Sequence, residues 1–191
     1  MKPSPFFPAL LLGAALCQNA AQATEYDTVL ADQSTLAFTV RQMNVPVEGR
    51  FKTFTAQLRF DPAKPELAEA NLDIDLANID AGSDEANDEV AGPQWFDTKH
   101  YPVAKFVAAS VRPLDASRYE IAGELTIKGH TQAVTASASF QTRDNLGVLD
   151  GGLVIKRADF RIGEGPWADF STVANEIPVR FRFLLSATPR T

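Results

Sequence analysis

Two histidines, His100 and His130, and one cysteine, Cys17, are the residues of this 191-residue chain whose types most readily do chemistry. An imidazole titrates near neutrality and serves as acid, base or metal ligand. A zinc site here would need carboxylates to complete it, and no ligand spacing is evident. His100 lies in a Lys99-His100-Tyr101-Pro102 turn and reads as a surface residue. His130 flanks a tight turn, and its plain reading is a polar residue in water. Its functional reading is a contact to a ligand headgroup at the mouth of a barrel, or an acid/base role if the protein were an enzyme. The acidic cluster Asp84, Glu85, Asp88 and Glu89 lacks the spacing of a calcium loop and reads as a solvated helix face. No Gly-x-Ser-x-Gly elbow, phosphate loop or dinucleotide fingerprint occurs. No catalytic residue and no metal ligand is assigned, and binding outranks catalysis.

The chain starts with a basic Lys2, an apolar run from Phe6 to Leu16 and a small-x-small Ala21-Gln22-Ala23. That pattern predicts a secretory signal over residues 1–23 and a mature domain over residues 24–191, in an exported, periplasmic location. The run is shorter than the roughly 20 apolar residues of a membrane span. Leu16 before Cys17 is too bulky for the usual lipidation site. Cleavage removes Cys17, so the mature chain forms no disulfide and its core must hold alone. It also leaves 17 basic against 24 acidic residues, a net charge of −7. An acidic chain without a basic patch argues against nucleic acid and against electrostatic attachment to anionic lipid.

The elements that must position any site are strands. Tyr119, Ile121, Gly123, Leu125 and Ile127 alternate with Arg118, Glu120, Ala122, Glu124 and Thr126, a period of two with one dry face. Lys128-Gly129 supplies a two-residue turn. That register pairs Ile127 with His130, Leu125 with Gln132, Gly123 with Val134 and Ile121 with Ala136. Opposed residues share a face, so Val134, Ala136, Ala138 and Phe140 join the dry side. Further strands are predicted over Tyr26–Ala31, Leu36–Val40, Leu72–Leu76, Pro102–Val111, Val148–Lys156 and Glu176–Ala187, with a long extended run from Val45 to Phe60 that kinks or turns at Gly49. Ser83 before Asp84 and Glu85 caps a short helix over Asp84–Val90. Eight or nine strands with short connections and no βαβ spacing mean a sandwich or a closed antiparallel barrel. Long Phe-rich strands that would leave costly open edges favour the barrel.

The inner face mixes Phe with Gly123, Ala136, Ala138, Ala108 and Ala56. Such a mixture either interlocks into a solid core or leaves a narrow apolar tunnel. Alternation places Phe38, Val40, Phe54, Leu58, Phe106, Ile121, Leu125, Val134, Phe140, Phe181 and Phe183 on the tunnel wall, with His130 at its mouth.

Several segments together resemble the YceI-like, polyisoprenoid-binding family. They are Phe38-Thr39-Val40-Arg41, Val47-Glu48-Gly49-Arg50-Phe51, Phe96-Asp97-Thr98-Lys99-His100-Tyr101-Pro102 with Phe106, Leu125-Thr126-Ile127-Lys128-Gly129-His130-Thr131, Asp159-Phe160-Arg161-Ile162-Gly163 and Glu176-Ile177-Pro178-Val179. The resemblance implies an all-β, lipocalin-like eight-stranded antiparallel barrel with a helical segment near residues 83–96. It implies an elongated pocket for an isoprenoid chain, including the tail of an isoprenoid quinone, and no cofactor beyond that lipid. Members are commonly homodimeric, and some are linked to membrane b-type cytochromes or to stress responses. This chain has Gln42 where many members have His, and His130 where they have an apolar residue. Two rival readings stand beside the carrier: a solid-cored periplasmic protein that docks to a membrane redox partner, and an enzyme acting on an isoprenoid quinone.

Overall fold

The computed structural model describes residues 24–187; the predicted leader and Cys17 lie outside them. In chain order the elements are β1 (Tyr26–Val29), β2 (Thr35–Gln42), β3 (Val45–Phe51), β4 (Phe54–Arg59), β5 (Glu69–Asp75), β6 (Ile79–Asp80), α1 (Asp84–Ala91), β7 (Val103–Pro113), β8 (Arg118–Ile127), β9 (His130–Arg143), β10 (Leu146–Lys156) and β11 (Glu176–Ala187). All pairings are antiparallel, in the order β4-β5-β7-β8-β9-β10-β11-β2-β3-β6. Among the described residues no helix is long and apolar enough to cross a membrane.

The central hairpin has the register that alternation predicts, with Ile127 opposite His130 and Ile121 opposite Ala136. Lys128 (φ 50°) and Gly129 (φ 75°) are both left-handed, as a two-residue turn matched to strand twist requires. A lysine rarely adopts that backbone, and this one is held there from the far end of its side chain. Its Nζ donates to the carbonyls of Pro93 (2.8 Å) and Arg161 (2.9 Å) and to the Glu164 carboxylate (3.2 Å). The turn thereby ties down both loops that border it.

The wall is a strongly curled sheet with a seam, not a continuous ladder of eight strands. Its path ends at β4 on one side and β6 on the other. β1 joins the two sides at one end: it pairs with β11, and Tyr26 exchanges both backbone hydrogen bonds with Phe60, each 2.8 Å. The strand count exceeds the expected eight or nine because β6 was not expected and because the Val45–Phe60 run breaks at Lys52-Thr53 rather than at Gly49. There the chain leaves its partner Ile79 and begins to pair with Ile74. Gly49 sits inside β3 opposite Phe38, and a Cβ on it would stand 2.6 Å from that ring's Cε2. Its lack of a side chain serves a close approach, not a turn.

The β1 end is solid. Phe60 stands 4.8 Å from Phe140 and 5.2 Å from Tyr119, while Tyr26 lies 5.0 Å from Phe140, centroid to centroid. All four are buried, three of the contacts are edge-on, and the Tyr26 hydroxyl meets Thr142 Oγ1 at 3.0 Å. Edge-to-face pairs add to the burial of the rings themselves. Phe60→Ala is expected to lower the unfolding free energy by about 3–5 kcal/mol, checked by urea denaturation. Because Phe60 is off the main cavity wall, ligand capacity in that variant should be retained.

Candidate ligand cavity

Above the ring plug the lumen is hollow, with a cavity of about 520 Å³. Alternation along the strands makes its wall apolar: Leu36 and Val40 from β2, Ile121 and Leu125 from β8, Leu149 and Leu153 from β10, Ile177 and Val179 from β11. The space persists because three phenylalanines that could cross it lie against the wall instead. Phe38 covers Gly49, Phe106 covers Gly123 and Phe181 covers Gly151; a Cβ on those glycines would stand 2.6, 2.7 and 2.7 Å from the rings. A glycine with a ring laid over it is a known way to keep a strand packed without a side chain. Here it turns bulky residues into paving.

Eight of the residues that alternation places on the tunnel do line the cavity: Phe38, Val40, Leu58, Phe106, Ile121, Leu125, Phe181 and Phe183. Four do not. Phe140 is part of the ring plug. Phe54 is buried with its ring 5.4 Å from Phe183, which takes the wall position. Val134 is paired with Gly123, where the Phe106 ring occupies the wall. His130 is half-buried at the hairpin end, past the last lining residue of β8, Ile127. His100 is exposed and bonded to Asp97 at 2.8 Å. Among the described residues no cluster of His, Cys, Asp and Glu could hold a metal ion.

The open end is built from segments that carry no period. α1 begins where Ser83 Oγ accepts from the Ala86 amide (3.2 Å). It sets Ala86 and Val90 over the cavity with Glu85 and Glu89 exposed at the rim. Trp95 and Trp167 meet there with centroids 5.6 Å apart. Trp167 Nε1 donates to Glu89 Oε1 (2.6 Å), while Trp95 Nε1 is buried with no acceptor among the described residues. Beside them lies Arg157, 1% exposed and on the cavity wall. All five of its N–H donors are engaged by backbone carbonyls: Ala174 (3.1 Å), Ile162 and Gly163 (2.8 Å each), Trp167 (2.7 Å) and Val173 (2.8 Å). Its guanidinium stands 5.2 Å from the Phe170 ring and 5.9 Å from that of Trp95. It forms no ion pair among the described residues, and burial pushes its pKa down. Carbonyl dipoles satisfy the hydrogen bonds but leave the charge uncompensated. The sequence reading missed Arg157, Trp95 and Trp167. The available signal was an arginine closing an alternating strand six residues before Gly163, whose φ of +75° and contact with the guanidinium leave no room for a side chain.

A curled antiparallel wall around one apolar cavity is the architecture of a small-molecule binding fold. Residues 28–185 match the YceI-like domain family, and the chain belongs to it. A UPF0312 protein of Pseudomonas putida F1 is 31% identical over 182 residues, covering 91% of this chain and 94% of the relative. The crystal structure of Burkholderia cenocepacia BcnA superposes with a TM-score of 0.80 at 41% identity, over 82% of this chain and 99% of that one. A polyisoprenoid binding domain from Saccharophagus degradans, implicated in plant cell wall breakdown, gives 0.66 at 20% identity, over 87% and 99%. At that identity it speaks for the fold alone.

Two outcomes follow from the open end. Arg157→Lys keeps the charge but supplies three donors for five carbonyls, so thermal unfolding should show a loss of about 2–3 kcal/mol. The Glu164 carboxyl is held below its ordinary 4.5, first by the Lys128 hydrogen bond and then by that of Arg161. A lowered pKa means the folded state binds the proton more weakly than the unfolded state does. The stabilisation is full above 4.5 and is lost as pH falls through the lowered value. Denaturation across that acid range should show a shallower loss of stability in Glu164→Gln than in the wild type.

Proposed function

We propose that the protein is an exported carrier or buffer of an isoprenoid lipid, a polyisoprenoid or an isoprenoid quinone, which it binds without transforming. The observation that carries this reading is the hollow, ring-paved lumen. A guest burying roughly 500 Å² of apolar surface gains about 12 kcal/mol gross at ~25 cal/mol/Å². Association and ordering remove on the order of 4–15 kcal/mol of it. Affinity then depends on length and close walls, which a cavity of about 520 Å³ inside a stiff sheet supplies. The Saccharophagus degradans domain, named for polyisoprenoid binding, shares this fold. Arg157 and the paired tryptophans suit the oxygen-bearing end of the lipid, with the tail running toward the ring plug.

The hollow lumen favours the carrier over the solid-cored reading, and His130, off the cavity wall, lends the enzymatic reading no support. Mass spectrometry of an organic extract of the purified protein should find one isoprenoid per chain. Ala136, buried on the wall opposite Ile121, tests the lumen directly. Ala136→Phe should keep the circular dichroism spectrum of the wild type and lose most of its lipid; equal loading in the two proteins would sink the reading.

A further inference from the structure

The turn joining β2 to β3 is convex and greasy. Met43 (φ 48°) and Asn44 (φ 66°) form its apex, and Met43 and Val45 are 71% and 62% exposed. The tip is fastened to the loop at residues 169–174: the Met43 amide donates to Thr172 O (2.8 Å), Gln42 bridges Val173, and the Ala174 amide donates to Arg41 O (2.9 Å). That loop carries Phe170, itself 50% exposed. Three large apolar side chains thus stand in water on two adjoined turns. Gln42, Val47 and Val173, one to three residues away along the chain, line the cavity. The patch is the outer lip of the mouth.

We infer that the β2–β3 tip and the Phe170 loop form a docking surface for an uncharged lipid bilayer, across which the cavity loads and unloads. This rests on the carrier reading. A convex tip presenting single side chains suits insertion among lipid headgroups, whereas a protein partner of an apolar site needs a groove or a flat face to bury. Continuity with the mouth spares an isoprenoid chain a passage through water. Charge bears on the kind of bilayer. Asp169 is exposed beside Phe170, Glu85 and Glu89 are exposed on the cavity rim, and the chain carries a net charge of −6, so an anionic surface is repelled more than a zwitterionic one.

The test follows transfer of an isoprenoid quinone from phosphatidylcholine vesicles to the protein, separated by flotation. Met43→Asn with Val45→Thr removes the apolar tip, keeps residues suited to a left-handed turn and a strand, and touches no cavity residue. Transfer from vesicles should slow about ten-fold or more, while equilibrium loading from an ethanol dispersion stays within about two-fold of the wild type. Vesicles containing phosphatidylglycerol should donate more slowly to the wild type than pure phosphatidylcholine does. Docking is overturned if the variant transfers at the wild-type rate, if it loses both assays equally, or if anionic vesicles donate faster. A wild type that loads from ethanol but ignores vesicles overturns docking alone. One that loads from neither overturns the carrier reading with it.

Discussion

The hollow lumen depends on rings lying over glycines. A phenylalanine on an inward position of a curled sheet would ordinarily reach toward the axis, and a few of them close a barrel of this size. Over Gly49, Gly123 and Gly151 the neighbouring strand offers no Cβ, so Phe38, Phe106 and Phe181 fold back onto backbone. Their apolar area stays buried, and the centre stays open. At the β1 end the Phe140 ring also lies over a glycine, Gly147, but Phe60 and Tyr119 converge on it and the rings meet across the lumen. One chain thus makes a floor and a chamber from the same side chain, depending on how many rings converge.

The chamber's upper end is held by two cations working through carbonyl oxygens. Arg157 gathers the backbone of residues 162–174, and Lys128 gathers Pro93 and Arg161. Irregular backbone has no ladder of its own, and its carbonyls need donors wherever they are buried. A guanidinium with five N–H groups supplies them from a single residue. The cost is a desolvated charge at the brim of an apolar space, and that charge gives the space a direction.

Much of the wall was legible because a period of two is a strong local signal. The Tyr119–Phe140 hairpin came out in its true register, since both strands and the Lys128-Gly129 turn agree on it. The helix start was legible from Ser83 and the acids behind it. Gly49 was misread because a glycine in a strand signals either a turn or a close approach, and only the partner strand tells which. His130 and Phe140 were assigned the right face but the wrong depth: alternation says which way a side chain points, not how far along the lumen the hollow part extends. Arg157 and the tryptophans were missed because their setting is made by loops far apart in the chain, where no periodicity exists to read.

The seam between the β3–β6 edge and β4 bears on the girth of what the protein can hold. A fully laddered barrel widens only by breaking backbone hydrogen bonds. Here the two edges are stitched by β1 at one extremity and again where β3 runs into β4, the Lys52 amide donating to Asn78 O (3.3 Å) and the Asp75 amide to Thr53 O (3.0 Å). The wall is therefore a cuff sewn at two points along its seam, and a branched or kinked occupant would strain the packing between those stitches before it strained the sheet.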